Sequence, residues 1–243
     1  MPAGPPVRAP PGEVPRAGAR PARWSADGWV LVRGGASAPS LASGVSSYGG
    51  SQAGAVLRYA LAPASLLRPR AYVRVSSALG AAVRQSEGAF GLALRPLRHV
   101  PVAVMGELRL QQGTSALRSR PVIMAVSELP PVRLPLGSEG EFYVQGGWAG
   151  GRDATAFYDM AATVQRPIAE PLDGLALRVG GGVWSGGQRG AVRLDLGPRI
   201  EVHGLFGPLA RRIGVRVGVD WRFRVAGEAQ PGSGPALTLA AGF

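Results

Sequence analysis

The sequence predicts an all-β protein: an antiparallel up-and-down transmembrane β-barrel of about twelve strands over residues 24–243. Three observations predict it. Residues 211–225, RRIGVRVGVDWRFRV, alternate without a break. Ile213, Val215, Val217, Val219, Trp221, Phe223 and Val225 fall on one face; Arg212, Arg216, Asp220, Arg222 and Arg224, with Gly214 and Gly218, fall on the other. Successive strand side chains point to opposite faces, and ordinary strands last about five or six residues. A longer strand, greasy on one side and ionic on the other, fits a wall between lipid and a polar lumen. The same alternation recurs along the chain, with many of the 37 Gly inside the alternating runs and many of the 22 Pro between them. Finally, no apolar run approaches the ~20 residues that a membrane-spanning helix needs, and no helical periodicity of useful length occurs.

Residues 1–23 are rich in Pro, Ala and Arg, lack periodicity, and read as a disordered segment. They carry no apolar leader, so an envelope location calls for sequence upstream of Met1. The strands expected next are 24–33, 51–62, 70–80, 87–95 and 102–111. In the last of these Val102, Val104, Leu108 and Leu110 oppose Met105, Glu107, Arg109 and Gln111. Residues 119–129 are apolar on both faces and have no predicted orientation. The stretch PPVRLPLG is a proline-marked turn. In 138–149, Phe142, Val144 and Trp148 oppose Glu139, Glu141, Tyr143 and Gln145. In 156–166, Tyr158, Met160 and Val164 oppose Asp159, Thr163 and Gln165. Asp173-Gly174 is a turn dipeptide. Residues 175–185 set Arg178 and Trp184 against Leu175, Leu177 and Val179, and Gly186-Gly187 suits a two-residue hairpin. From 188 to 206 the apolar positions stay even across Pro198, which predicts one long strand carrying Arg193 and Asp195 on its polar face. Gly207-Pro208 turns into 211–225, and 234–243 closes the chain.

Charge narrows the function. The 27 basic residues are all arginine, against 15 acidic residues, for a net +12. They alternate with hydrophobes along strands instead of clustering on a helix face, which argues against nucleic acid as a partner. The candidate lumen-lining residues are Glu107, Arg109, Glu139, Glu141, Asp159 and Arg178, then Arg193, Asp195, Arg212, Arg216, Asp220, Arg222 and Arg224. So dense a mixture needs water or close pairing, because an unpaired buried charge is too costly. Arginine-lined pores favour anions, so an anionic solute or polysaccharide is an expected partner, beside outer-membrane lipid. The aromatics Trp24, Trp29, Tyr59, Phe90, Phe142, Trp148, Tyr158, Phe206, Trp221, Phe223 and Phe243 are candidates for interfacial girdles.

No catalytic, cofactor or metal site is predicted. The chain has no cysteine and only two histidines. His99 lies in a proline-bounded turn. His203, beside Glu201 on the polar face, reads equally as a proton-handling group or a lumen-lining polar residue. No G-x-S-x-G nucleophile motif occurs, and the glycine runs lack the strand-loop-helix context of a phosphate site.

The final alternation Leu239, Ala241, Phe243 resembles the C-terminal signal by which the barrel-assembly machinery recognises outer-membrane barrels. Across 138–243, the stretches EFYVQGGWAGGRDATAFYD, LRVGGGVWSGGQRGAVRLDLG and VDWRFRVAG resemble the C-terminal barrel of the phage-adsorption protein A family, akin to the exopolysaccharide exporters, although no helical-repeat arm is present. The resemblance implies the outer membrane of a Gram-negative bacterium and a non-enzymatic role as pore, export-associated barrel or surface (phage) receptor. The alternative is a soluble all-β barrel or sandwich acting as a binding protein, which requires hydrophobes inside and charges outside.

Overall fold

The computed structural model describes residues 23–34, 50–79, 86–112, 117–151, 154–172, 174–205 and 213–243. The Pro/Ala/Arg-rich segment lies outside the described residues apart from Arg23, whose guanidinium donates to the Tyr59 hydroxyl at 3.1 Å. Also outside them are Arg212, Phe206 and the Gly207-Pro208 turn.

The chain forms β1 (Trp24–Arg33), β2 (Gln52–Ala60), β3 (Arg70–Ala78), β4 (Ser86–Leu94), β5 (Val102–Gln112), β6 (Leu117–Ser127) and β7 (Val132–Leu134). After a single 3-10 turn, Pro135–Gly137, come β8 (Ser138–Ala149), β9 (Thr155–Leu172), β10 (Leu175–Gln188), β11 (Ala191–Leu205), β12 (Gly214–Gly227) and β13 (Gly234–Gly242). Apart from β6 and β7, which do not pair with each other, consecutive strands pair antiparallel, β1 pairs with β13, and β6 pairs with β8. The ring therefore closes through twelve strands, with β7 attached to the start of β8. Closure pairs each of the twelve main strands on both sides along at least part of its length, as a β-structure in lipid requires, and leaves only the short β7 with an unpaired side among the described residues.

The strand pleat decides which side faces what. Along β12, Val219 is 52% exposed and Trp221 48%, while Asp220 between them is 1% exposed. The same holds around the ring: Val73, Val75, Phe90, Leu92, Ile123, Val144, Ile200, Leu237 and Leu239 are all exposed, and Arg74, Glu87, Glu107, Arg109, Arg193 and Glu201 are all buried. An exterior of that composition is unstable in water and at home among acyl chains. The soluble alternative needs the opposite orientation and fails on this point. Trp24, Tyr59, Phe142 and Phe243 lie toward the end of the barrel where β1 begins and β13 finishes, here called the near end; Trp148, Tyr158, Trp221 and Phe223 lie toward the far end. Trp29 is no girdle residue. It points inward, 5% exposed, with its ring flat on Gly54, where any side chain would collide with it at 2.3 Å.

Several elements depart from the sequence expectation. Gly186-Gly187 is not a turn; both residues lie inside β10, and the hairpin turns at Arg189-Gly190, with Gly190 at φ +77°. The φ > 0 requirement was met by the next glycine, which extends the β10–β11 ladder from Leu175↔Gly204 to Gln188↔Ala191. Strand β9 runs on past the expected boundary to Leu172 through Pro167 and Pro171. Strand β6 acquires an orientation: Val122, Met124 and Val126 face the interior while Ile123 is 60% exposed outside. The proline-marked turn after it contains β7. Strand β11 is one strand, as expected. Its ladder to β12 lapses between Leu196↔Phe223 and Arg199↔Asp220, where Pro198 has no N–H to donate. There Gly197 lets the Trp221 carbonyl approach to within 1.7 Å of where a Cβ would stand.

The lipid-facing assignment is testable at the middle of β12. Val219→Arg is expected to destabilise the barrel by about 2–4 kcal/mol, read from urea unfolding in lipid vesicles, whereas Val219→Leu leaves stability nearly unchanged.

Candidate functional site in the barrel lumen

The interior divides into a packed far half and a hollow near half. In the far half, Asp195 on β11 accepts from Arg193 Nε at 2.6 Å and from Arg33 Nη1 at 2.8 Å. Arg33 stands on β1, so this pair spans the lumen and does not follow the wall. Arg193 also donates to the carbonyls of Ala229 at 3.0 Å and Gly232 at 3.1 Å, which draws the β12–β13 connection over the far mouth. Arg224 Nη1 reaches the same Ala229 carbonyl at 3.3 Å. Beneath this layer, Asp220 on β12 accepts from Arg199 Nη1 at 2.6 Å and from Arg222 Nη2 at 3.1 Å. The Arg222 guanidinium lies over the Trp184 ring at 4.2 Å, and Arg109 over Phe157 at 5.1 Å, both cation–π contacts across strands that are not neighbours. On the β3–β5 wall, Glu107 accepts from Tyr72 at 2.7 Å and from Arg74 at 3.0 Å and is paired with Arg109; Glu87 accepts from Arg74 at 2.8 Å and Gln111 at 2.8 Å.

Lower down, Arg216 Nη1 donates to Glu141 Oε2 at 2.7 Å, an ion pair between β12 and β8 that again crosses the lumen. Arg178 is paired with Glu139, and Glu201 with both Arg199 and His203. Asp159 faces the interior from β9, within the field of Arg222. The arrangement brings the sequence-predicted polar residues together except Arg212, which lies outside the described residues. Most of them are in ion pairs; Arg224 meets the Ala229 carbonyl, and Asp159 has no ion pair among those found. Sequence reasoning missed Arg33, because β1 is apolar on both faces. It also missed the apolar inner wall of β6, for the same reason.

Below the packed layers lies a cavity of about 580 Å³, floored by Arg109, Trp184 and Arg222 and reaching the near end at Asp27, Arg58 and Glu128. Its walls differ. Arg199, Glu201 and Arg216 line one side; Met105, Met124 and Val126 line the other. On the polar side the Arg199 guanidinium lies over Gly218, 2.5 Å from where a Cβ would be, so a side chain there would displace it. At the near rim, Glu128 in the β6–β7 connection is clamped by Arg70 and Arg95. Burial alone would raise its pKa, but the hydrogen bonds and charges of the two arginines outweigh that and hold it below the usual glutamate range. At the chain end, Phe243 exchanges backbone hydrogen bonds with Ala26 at 3.0 and 3.1 Å, and Phe243 and Leu239 are exposed on the outer face that Ala241 shares with them.

Chemically, the interior offers guanidinium donors and a partly apolar wall. Among the described residues no group of three or more His, Asp or Glu side chains is placed to hold a metal ion. His203 is engaged by Glu201, with no hydroxyl nucleophile among the hydrogen-bond partners found for it.

No family model and no curated protein matches the sequence. Solved structures similar in fold include a bacterial polysaccharide outer membrane secretin (TM-score 0.44, 10% identity, covering 90% of this chain and 96% of that one). Others are the KdgM porin in complex with disordered oligogalacturonate (TM-score 0.41, 9% identity, 90% and 98% covered) and LpxR from Salmonella typhimurium (TM-score 0.41, 10% identity, 90% and 99% covered). These are outer-membrane β-barrels of differing kinds, and the likeness is one of fold.

Two predictions follow from the ion pairs. Asp220→Ala removes the carboxylate that Arg222 holds and leaves Arg199 with Glu201 alone, and is expected to cost about 3–5 kcal/mol, measured by denaturant unfolding of the detergent-folded barrel. For Glu128, a folded-state pKa below the unfolded value gives stability that is fully present above the unfolded pKa and is lost as pH falls through the folded one. Comparing acid unfolding of wild type with Glu128→Gln is expected to show a shallower pH dependence in the variant below pH ~4.5.

Proposed function

We propose that the protein is a non-enzymatic outer-membrane barrel of a Gram-negative envelope, closed at rest toward its far end and hollow toward its near end. The observation that carries this reading is the pair of ion bridges thrown across the lumen, Arg33–Asp195 and Arg216–Glu141, with the Arg193–Asp195 and Asp220 clusters packed between them. A water-filled pore keeps its charged side chains apart along the wall. Here Arg33 and Arg216 reach carboxylates on strands that are not their neighbours, and each described arginine of the β11–β12 cluster has a carboxylate or carbonyl against it. The neutralised arginines favour a sealed barrel over a freely conducting anion pore. A surface-receptor role suits a sealed barrel as it stands; an export-associated role requires the bridges to part.

Single-channel recording in planar bilayers tests the proposal. Wild type is expected to be silent or to flicker, and Arg33→Ala with Arg193→Ala to conduct more often. A steady, large wild-type conductance overturns it.

A further inference from the structure

The two walls of the near cavity, and the place where it meets the lipid, point to a ligand. Strands β6 and β8 share only five residue pairs, from Val122↔Ala149 to Val126↔Gln145. Below them β8 takes β7 as its partner, through Val132↔Gly140 and Leu134↔Ser138. At the parting, the Ser127 hydroxyl accepts the Val144 N–H at 2.9 Å in place of a ladder bond. The ring is thus wedged open at one seam. The cavity reaches that seam: its lining includes Leu129, Pro130 and Phe142. Leu129 and Phe142 are 38% and 42% exposed, and Phe142 shares the outer face with Val144 and Trp148.

Just inside the seam are Met105, Met124, Val126 and Tyr143, an apolar lining where a water-filled lumen has no use for one. Across the cavity stands Arg216. Its Nη1 is held by Glu141, its Nε has no hydrogen-bond partner among the described residues, and the Glu141 side chain is 34% exposed. A buried guanidinium with an unsatisfied donor, held by one loosely covered carboxylate, is a site that a competing anion can take.

We propose that the near cavity binds an amphipathic anion, a carboxylate or phosphate head on an apolar chain. The head displaces Glu141 from Arg216, and the chain lies along Met105, Met124 and Val126 toward the β6–β8 seam. The assignment uses the hollow near half of the preceding reading, but not the closure of the far half. A wet, polar ligand leaves the methionine wall uncovered; a neutral lipid leaves Arg216 with Glu141.

Photolabelling of the full-length barrel in lipid nanodiscs tests it, with a decanoate carrying a terminal diazirine as probe. The expected adducts map to 122–127 and 142–145, are suppressed by excess decanoate, and are little affected by decanol or inorganic phosphate. Arg216→Gln is expected to reduce labelling roughly tenfold, the loss of one charge-assisted contact. Glu141→Gln, which removes the competitor, is expected to raise it. The opposite signs separate ligand binding from a structural role, and where Arg216→Gln does not give a folded, heat-modifiable band, Glu141→Gln decides alone. Adducts confined to the outer wall, equal competition by decanol, or no rise in Glu141→Gln overturns the proposal. Conductance is read separately: an open channel that still labels the seam overturns the closed-barrel reading and keeps this one, and a silent barrel that labels only its outer wall does the reverse.

Discussion

Carboxylates and guanidiniums that pair inside the barrel, some of them between strands that are not neighbours, hold the rest of the structure in place. Many of the charged side chains that face the interior are buried and so need partners. Asp195 and Asp220, each 1% exposed, are therefore surrounded by arginines from more than one strand. The desolvation penalty for such groups is several kcal/mol per ion, and it is offset only where geometry supplies every charge with a partner. That demand reaches outward to the backbone. The Arg199 guanidinium occupies the space a side chain at position 218 would take, and the 229–232 segment folds inward so that Arg193 meets its carbonyls. The far end is organised by charge, and the wall is organised by lipid.

The two organising forces act on alternate residues of the same strands, which explains how much was legible in the sequence. Where both faces are chemically distinct, as in β5, β8 and β12, the period-two pattern placed strand, orientation and phase correctly. It carried through Pro198 because a single missing N–H disturbs a ladder without changing the parity of the side chains. Parity has no content when both faces are apolar, so β1 hid Arg33 and β6 hid its inner wall. Turn chemistry misled at Gly186-Gly187 for a related reason. Glycine is also what a strand uses where a neighbour comes close: Gly187 lies against the Tyr158 ring, at 2.7 Å from a notional Cβ. A glycine pair therefore marks either a turn or a close approach, and only the register of the partner strand separates them.

The candidate site was half legible. Which residues face inward follows from phase, and nearly all of the predicted set does so. Which of them meet does not, because contacts such as Arg216–Glu141 and Arg33–Asp195 join strands that are not adjacent in the ring. They depend on barrel diameter and stagger, which follow from strand number and shear and are not encoded in any one strand. The count of arginines alone therefore pointed to an electropositive lumen, whereas the pairing makes the far half close to neutral.

The seam between β6 and β8 joins these themes. Ser127 ends β6 early, and the residues after it spend their hydrogen bonds elsewhere: Glu128 N–H on the Pro101 carbonyl at 2.6 Å, and the Glu128 carboxylate on Arg70 and Arg95. The clamp that fixes the near rim is thus what keeps β6 from continuing alongside β8. Once the ladder stops, the inner residues nearest the gap are in reach of acyl chains, and polar side chains there would sit half in lipid. Met124, Val126 and Tyr143 satisfy that local condition, while Arg216 stands on β12, four strands from β8 and five from β6 in the ring. The apolar patch of Met105, Met124 and Val126 thus sits beside the seam, next to Gln145 and Glu141 of β8, and that mixture separates this lumen from one built for water and ions alone.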